Sequence, residues 1–168
     1  MQNIFLIGMM GAGKSTIAKL LSKQLSKRYF DIDIEIEKLI GMTINQIFNE
    51  YGEKRFRLIE SSFFNEITKV KTAIYATGGG IVELDSNIKT LKNNGFTIFL
   101  DCSIEELKRR LTNKVDQRPL LTNNFDKDLI KIYKERKYKY KKSAHLIINV
   151  AQLSKKEIVR IICEKINV

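Results

Sequence analysis

Short apolar segments alternate with amphipathic segments along most of the chain. Strands of a parallel sheet are buried on both faces, so short unbroken apolar runs indicate such strands. They occur at Asn3–Ile7, Tyr29–Ile32, Ala73–Ala76, Phe96–Leu100 and Leu146–Val150. Apolar residues at spacings of three and four, together with capping signals, predict helices over about Lys14–Lys27, Ile34–Ile40, Thr43–Glu50, Glu53–Val70, Ser103–Arg110, Asp126–Lys142 and from Ser154 onward. The alternation predicts a three-layer α/β/α fold with a central, mainly parallel five-stranded sheet.

The length of the chain and one polar segment indicate how it is organised. Its 168 residues have the size of one globular unit, so we expect residues 1–168 to form a single domain. The polar stretch from Asn113 to Asn124 contains the only proline and has no apolar periodicity. This indicates a loop, and we expect a mobile lid at about residues 112–124.

Several classes of protein are excluded by the same pattern. No apolar run approaches the roughly 18–20 residues of a membrane-spanning helix, and the start of the chain lacks the basic region of a secretory signal. Cys102 and Cys163 lack the spacing of metal ligands, so we expect both thiols to be reduced. These observations predict a cytoplasmic protein, which we expect to be a monomer.

The chain is strongly basic, with 30 Lys and Arg against 19 Asp and Glu and a formal net charge of +11. Such a charge predicts an anionic partner, which could be nucleic acid, a lipid surface or a phosphorylated small molecule. Seven basic residues and one acidic residue lie in Lys131–Lys142, interleaved with tyrosines that could stack on bases. No known nucleic-acid motif accompanies them. We therefore favour a solvated basic helix face and expect neither nucleic acid nor a membrane as a partner.

The first predicted strand runs directly into a phosphate-binding sequence. Residues 8–15, GMMGAGKS, fit the pattern G-x-x-x-x-G-K-[ST] and lie between a strand and a helix, as this motif requires. Glycines allow backbone N–H groups to surround phosphate oxygens, and the helix N-terminus adds partial positive charge. Lys14 can reach the β- and γ-phosphates, and the Ser15 hydroxyl can ligate Mg²⁺. The segment predicts a nucleoside triphosphate site.

Two carboxylates, Asp31 and Asp33, lie at the end of the second predicted strand. Residues two apart in an extended chain point to the same side, so we expect both carboxylates to face the phosphate loop. One could hold Mg²⁺ through water, while the other orients or receives the proton of an acceptor hydroxyl. A solvated turn or a helix cap is the alternative.

Arginines and glycines further along the chain indicate an anionic acceptor. Arg57 lies three residues before Glu60 in an amphipathic helix, so Glu60 can hold its guanidinium ready for a carboxylate; an ordinary surface pair is the alternative. Glycines 78–80 follow the third strand, which indicates either close approach of backbone N–H groups to a ligand or a flexible turn. Arg118 in the polar loop can cover the phosphates when a lid closes, and Arg136 is the only arginine in the basic helix.

Taken together, these motifs resemble the shikimate kinase family of small P-loop kinases. In chain order they read GMMGAGKS, FDID, GEKRFRLIE, TGGG, RPLL and ERKYKY, and they cover nearly the whole chain. The resemblance implies transfer of the ATP γ-phosphate to the 3-hydroxyl of shikimate, in the pathway to chorismate and the aromatic amino acids, with Mg²⁺ as cofactor. The basic helix departs from the family's R-x-P-L-Y pattern, because the proline and the leucine are missing after Arg136.

The resemblance also implies roles for individual residues, with a shikimate-binding region at about residues 33–61. The phosphates would be wrapped by Gly11, Ala12, Gly13, Lys14, Ser15 and Thr16, and Mg²⁺ would be held by Ser15 and, through water, by Asp31. Shikimate would be bound by Arg57, Arg136, the Gly79 amide and Asp33, which would also orient or deprotonate the hydroxyl. Lys14 and Arg118 would join Asp33 in catalysis; Arg118 would contact the nucleotide phosphates, and Arg110 would stack on adenine.

A second interpretation stays open within the same class of enzyme. Another P-loop small-molecule kinase, acting on gluconate or on a nucleoside monophosphate, would share the phosphate loop. The joint presence of D-x-D, F-R-x-x-E and G-G-G favours shikimate over those acceptors.

Overall fold

Five parallel strands form the centre of the computed structural model, which describes residues 2–112, 120 and 124–166. The strands are β1 Asn3–Ile7, β2 Tyr29–Asp31, β3 Ile74–Ala76, β4 Gly95–Asp101 and β5 Leu146–Asn149. They lie in the order β2-β3-β1-β4-β5, and every neighbouring pair is parallel. The predicted α/β architecture with a parallel five-stranded sheet is confirmed.

Seven helices connect and cover these strands in the described part of the chain. They are α1 Lys14–Leu25, α2 Ile32–Ile40, α3 Ile44–Ile67, α4 Asp85–Asn93, α5 Ile104–Leu111, α6 Phe125–Ser143 and α7 Lys155–Lys165, with a 3₁₀ turn at Ile81–Glu83. Helix α1 packs beside α7, while α4 contacts both α3 and α6. None of the described helices combines the length and the apolar character needed to cross a membrane.

The core lies on the sheet and follows from the apolar runs. All five residues of β1 are buried, as expected for a central strand of a sheet covered on both faces. The ring of Phe5 packs between Phe64 and Tyr75, with centroid distances of 5.5 and 5.4 Å. Cys102 is buried, Cys163 is half-buried, and neither forms a disulfide.

The second strand is shorter than the sequence predicts. It ends at Asp31, and Ile32 already begins α2, so Asp33 lies in the first turn of a helix rather than in an extended chain. The sequence IDIEIE alternates like a strand, but only Ile32 and Ile36, four residues apart, are buried, whereas Ile34 is exposed. The helical spacing therefore prevails, and the prediction that Asp31 and Asp33 share one side of an extended chain is wrong.

Two further findings concern helices. The segments 43–50 and 53–70, predicted as two helices, are two helical stretches of α3 separated by non-helical backbone at Gly52 (φ 75°, ψ 164°). The prediction of two helices is therefore confirmed, although the second stretch ends at Ile67 rather than at Val70. The sequence pattern does not predict helix α4, because only Asn87 and Leu91 of its nine residues are buried and no apolar stripe marks it.

Candidate active site

The candidate motifs meet at one edge of the sheet. Gly8, Asp31 and Gly78 lie at or just beyond the carboxyl ends of β1, β2 and β3, which are neighbours in the sheet. Ligands of open α/β sheets bind at this edge. The topology thus brings together residues that are up to 70 positions apart in the chain.

The phosphate-binding loop between β1 and α1 has the backbone that its glycines permit. Gly13 has φ 98° and directly precedes α1, so the first free N–H groups of the helix face the loop. Gly8 has φ 140°, and a methyl group built on it would lie only 2.7 Å from the Leu100 carbonyl oxygen. Lys14 is buried, and its Nζ donates to the carbonyl oxygens of Gly8 and Met9 at 2.8 and 2.9 Å.

A cavity of about 590 Å³ opens over this loop, within the range of small-molecule sites. Residues 10–17 form its floor. The rest of its lining comes from the ends of other elements, namely Asp31, Asp33, Thr77, Gly79, Arg109, Arg110, Leu111, Val150, Leu153, Lys155 and Ile158. Its size and its lining by the loop fit a nucleotide.

Oxygen atoms of Ser15 and Asp31 lie together in this cavity. The Ser15 hydroxyl donates to Asp31 Oδ2 at 2.6 Å, and the Tyr29 hydroxyl donates to the same oxygen at 3.2 Å. Burial and the neighbouring Asp31 carboxylate raise the pKa of Tyr29, which keeps its hydroxyl a donor. No cluster of three His, Cys, Asp or Glu side chains suited to a metal occurs among the described residues. The oxygen atoms of Ser15 and Asp31 suit Mg²⁺, because this ion takes few protein oxygens and keeps waters and phosphate oxygens as its other ligands.

A second, smaller cavity of about 60 Å³ adjoins the first. It is lined by Met10, Asp33, Ile44, Phe48, Phe56, Arg57, Glu60, Gly78, Gly79, Gly80, Leu120 and Arg136. Met10, Asp33 and Gly79 line both cavities. A carboxylate and a backbone amide thus lie at the boundary between the two spaces.

Arg57 is held on the wall of the smaller cavity by two carboxylates. Its Nη1 donates to Glu60 Oε2 at 2.9 Å, while its Nε and Nη2 donate to Glu53 Oε1 at 3.2 and 3.0 Å. Burial by itself would lower the pKa of Arg57, but Glu60 and Glu53 outweigh it and raise this pKa. The Glu60 side chain is fully buried, so the alternative of an ordinary surface pair is wrong.

Arg136 lies on the same wall and is also buried. Its Nε donates to Glu83 Oε1, and its Nη2 lies 3.9 Å from Glu53 Oε1. The buried atoms Arg136 Nη1 and Glu60 Oε1 have no hydrogen-bond partner among the described residues. Buried polar atoms of this kind are costly unless a ligand or water satisfies them, so the cavity is built for a polar occupant.

Comparison with known proteins identifies the family. A family model described as "Shikimate kinase" matches residues 10–167. The chain belongs to the shikimate kinase family. A shikimate kinase of Clostridium botulinum (strain Eklund 17B / Type B) is 47% identical over 145 residues, which cover 86% of each chain. A shikimate kinase of Nitrosospira multiformis is 37% identical over 99% of this chain and 85% of its own. A solved shikimate kinase from Acinetobacter baumannii, in complex with shikimate, superposes with a TM-score of 0.95 at 34% identity, covering 99% of this chain and 93% of the other.

The three glycines after β3 leave space for neighbouring side chains. A methyl group on Gly78 would lie 2.6 Å from Asp33 Oδ1 and 2.7 Å from Glu60 Oε1, and one on Gly80 would overlap the Arg57 guanidinium. None of the three has the positive φ that demands glycine. These glycines therefore have a steric reason, and the close approach is made chiefly by side chains of the site. At Gly79 itself, the nearest atom to such a methyl group is the backbone nitrogen of Met10, at 3.3 Å.

Of the two arginines predicted for the nucleotide site, the structure describes Arg110 but not Arg118. Arg110 lies over the phosphate loop: its Nη1 is 3.3 Å from the Gly11 carbonyl oxygen, and its Nε donates to Glu106 at 2.6 Å. Hydrogen bonds from Arg109 and Arg110 lower the pKa of Glu106 to about 2. Arg118 lies outside the described residues, as does most of the predicted lid, and its role stays a prediction.

Some residues of the site carry little signal in the sequence. Glu53 precedes Arg57 by four positions, a spacing that could have identified it as a partner. Glu83 gives no such signal, because it meets Arg136 and Lys139 only through packing of the 3₁₀ turn against α6. Tyr140 is fully buried, and its hydroxyl donates to the Gly79 carbonyl oxygen, which holds the glycine turn against α6.

Proposed function

We propose that this protein transfers the γ-phosphate of ATP to the 3-hydroxyl of shikimate, which yields ADP and shikimate 3-phosphate for the synthesis of chorismate and aromatic amino acids. The observation that carries this proposal is that Asp33 and Gly79 line both cavities. A phosphate on the loop and a hydroxyl in the smaller cavity would meet beside the Asp33 carboxylate. The likeness to the shikimate-bound enzyme of Acinetobacter baumannii supports the identity of the acceptor.

The phosphate loop binds and orients ATP. Backbone N–H groups of residues 11–16 surround the β- and γ-phosphates at the N-terminus of α1, with Lys14 beside them. Lys14 Nζ already lies over the loop, held by two carbonyl oxygens. In the complex it stabilises the negative charge of the transferring phosphoryl group.

Ser15 directly, and Asp31 through water, are the residues that would hold Mg²⁺. When bound, the ion neutralises charge on the phosphate oxygens of ATP. Tyr29 holds the Asp31 carboxylate by its hydroxyl, so this side chain is oriented before any ligand arrives.

Asp33 acts on the acceptor hydroxyl. Its carboxylate accepts the hydroxyl proton as the oxygen attacks the γ-phosphorus, the bond from phosphorus to the β-bridging oxygen breaks, and ADP leaves. Asp33 lies in the first turn of α2, a rigid element, which limits the positions that its carboxylate can take.

Arg57 and Arg136 recognise the carboxylate of shikimate, and the Gly79 amide binds a ring hydroxyl. Guanidinium groups suit this task because their planar forks bind carboxylates in two parallel hydrogen bonds. The buried Arg136 Nη1 atom, which has no hydrogen-bond partner in the described part of the chain, supports this assignment. The rings of Phe48 and Phe56, 4.8 Å apart, form an apolar wall for the ring of the acceptor.

The proposal includes a monomer that works in the cytoplasm without nucleic acid or membrane as a partner. The absence of a disulfide between Cys102 and Cys163 fits a reducing compartment. Light scattering of the purified protein measures the oligomeric state. A salt titration with single- and double-stranded DNA tests the nucleic-acid alternative, for which tight binding at about 150 mM salt would count.

An acceptor panel tests the reaction itself. ADP release is measured with shikimate, gluconate and nucleoside monophosphates at equal concentrations, with and without Mg²⁺. We expect turnover with shikimate to exceed that with the other acceptors by at least about a hundredfold, because only shikimate offers a ring carboxylate to both arginines. Faster turnover of gluconate or of a nucleotide would refute the proposed acceptor.

A further inference from the structure

Arg136 is anchored on one edge and left open on the other. On the anchored edge, its Nε donates to Glu83 Oε1. On the other, Nη1 is buried without a partner among the described residues and lies 3.9 Å from a methyl group built on Gly79. The open edge therefore faces the smaller cavity, and the contact with Glu83 sets the rotation of the guanidinium plane.

Glu83 is itself held by a second cation. Lys139 Nζ lies 2.7 Å from Glu83 Oε2, so each carboxylate oxygen has its own basic partner. Lys139 follows Arg136 by three positions on α6, and Glu83 ends the 3₁₀ turn directly after the site glycines. Burial opposes ionisation of Glu83, but Lys139 and Arg136 outweigh it and hold its pKa below the usual range. Glu83 is thus a carboxylate at neutral pH, fixed between α6 and the glycine turn.

This arrangement coincides with the departure of α6 from the family pattern. Lys139 stands where R-x-P-L-Y has leucine, which can form no ion pair with a carboxylate. A competing carboxylate is close by, since Glu53 Oε1 lies 3.9 Å from Arg136 Nη2 and already accepts from Arg57. Without Glu83 in its place, Arg136 would turn towards Glu53 and away from the cavity.

We propose that Glu83 and Lys139 form a positioning pair that orients Arg136 towards the carboxylate of the acceptor. Glu83 acts through Arg136, and Lys139 acts through Glu83. The inference rests on the proposed function, because it assumes that the acceptor carries a carboxylate. It adds two residues that set acceptor affinity without touching the acceptor.

The test uses steady-state kinetics of four variants, with shikimate and ATP varied separately, and a matched control. We expect Glu83→Gln to raise the KM for shikimate about tenfold and Lys139→Met to raise it about threefold, while kcat and the KM for ATP stay within about twofold. The double variant should resemble Glu83→Gln alone, since in the proposed pair Lys139 acts on Arg136 through Glu83. Lys139→Arg keeps the ion pair and should restore the KM. Lys134→Met, which removes an exposed charge from the same helix, is the control and should leave all constants unchanged.

Two results would overturn the pair. One is a folded Glu83→Gln variant whose KM for shikimate is unchanged. If its free energy of unfolding is lower at the same time, Glu83 has a structural role only. The other is a double variant whose KM increase equals the product of the single effects. The wild-type protein tests the proposed function separately: if it uses a different carboxylated acceptor, the same KM ratios are measured for that compound. If its acceptor has no carboxylate, the pair and the proposed function both fail.

Discussion

Asp33 is the residue on which the proposed chemistry depends most, because it alone among the described residues places a carboxylate at the boundary of the two cavities. Asparagine has the same shape but cannot accept the hydroxyl proton. We predict that Asp33→Asn lowers kcat by about 10²–10⁴-fold, the usual range for loss of general-base catalysis, while ATP still binds. Initial rates and a nucleotide titration measure the two effects.

Glu35→Gln is the matched control for this prediction. Glu35 and Asp33 both lie in the first turn of α2, so both variants lose a favourable interaction with the helix dipole of about 0.3–1 kcal/mol. Of these two residues, Asp33 lines both cavities and Glu35 lines neither. A similar loss of kcat in both variants would contradict the role of Asp33 as the base.

Gly80 leaves room for the Arg57 guanidinium at the smaller cavity because it has no side chain. Its backbone, at φ −95° and ψ 6°, suits alanine, but the added methyl group would overlap the Arg57 guanidinium. We predict that Gly80→Ala raises the KM for shikimate by at least about tenfold, because misplaced binding groups cost this much. The KM for ATP should not change, since Gly80 does not line the larger cavity. In an Arg57→Ala background, Gly80→Ala should add no further increase; an additional increase would show that the clash is elsewhere.

At the scale of single elements, the sequence pattern predicts most strands and helices but not their boundaries. Capping signals are reliable where side chains act locally: Ser103 and Ser154 both accept from the backbone N–H three residues on. Alternating apolar residues at 32–36 are misleading, since the same residues satisfy a strand and a helix, and packing against the core decides between them. Residues 85–93 offer too few apolar positions to predict α4 at all.

The kink in α3 depends on Gly52. Its φ of 75° and ψ of 164° lie in a region that is open essentially to glycine alone, although a methyl group there would meet no atom within 4 Å. We predict that Gly52→Ala lowers the free energy of unfolding by about 1–3 kcal/mol through backbone strain. Chemical denaturation measures this loss.

Gly41 is the matched control, because a methyl group there would also meet no atom within 4 Å. Its backbone, at φ 74° and ψ 18°, lies in the left-handed helical region. Gly41→Ala should therefore cost less, and equal costs would rule out the backbone explanation.

At the scale of the whole molecule, the net charge of +11 is less specific than it first suggests. Most lysines of α6 are exposed, whereas Arg57 and Arg136 are buried at the smaller cavity. Around these arginines the charges nearly balance, because Glu53, Glu60 and Glu83 face Arg57, Arg136 and Lys139. In the proposed function, selectivity for an anionic acceptor comes from the oriented guanidinium groups of Arg57 and Arg136 rather than from excess charge.

The stability of the folded chain should depend on pH through Glu83. Its pKa is lower in the folded protein than in the unfolded chain, so its stabilising effect is present above the ordinary glutamate pKa of about 4.3 and is lost as the pH falls through the lowered value. We predict that wild type exceeds Glu83→Gln in free energy of unfolding by about 1 kcal/mol at pH 7, and that the difference shrinks below about pH 4. Urea denaturation at several pH values measures this difference.

Glu66→Gln is the control, because it breaks an exposed pair with Lys69. Its free energy of unfolding should differ little from that of wild type at any pH. A difference for Glu83→Gln that is the same at pH 3 and pH 7 would contradict the prediction.

The sequence by itself determined the fold class, the nucleotide loop and the family, because these depend on short-range patterns: apolar runs, capping residues and the spacing of glycines, lysine and serine in residues 8–15. Its motifs also single out Asp33, Arg57, Gly79 and Arg136 as candidate site residues. Only the tertiary structure showed that Asp33 belongs to a helix, that the site glycines make room for side chains, and that Glu83 pairs with both Arg136 and Lys139. These contacts join residues 18 to 56 positions apart on different elements. They arise from packing of elements on the sheet edge, for which no periodicity in the chain provides a signal.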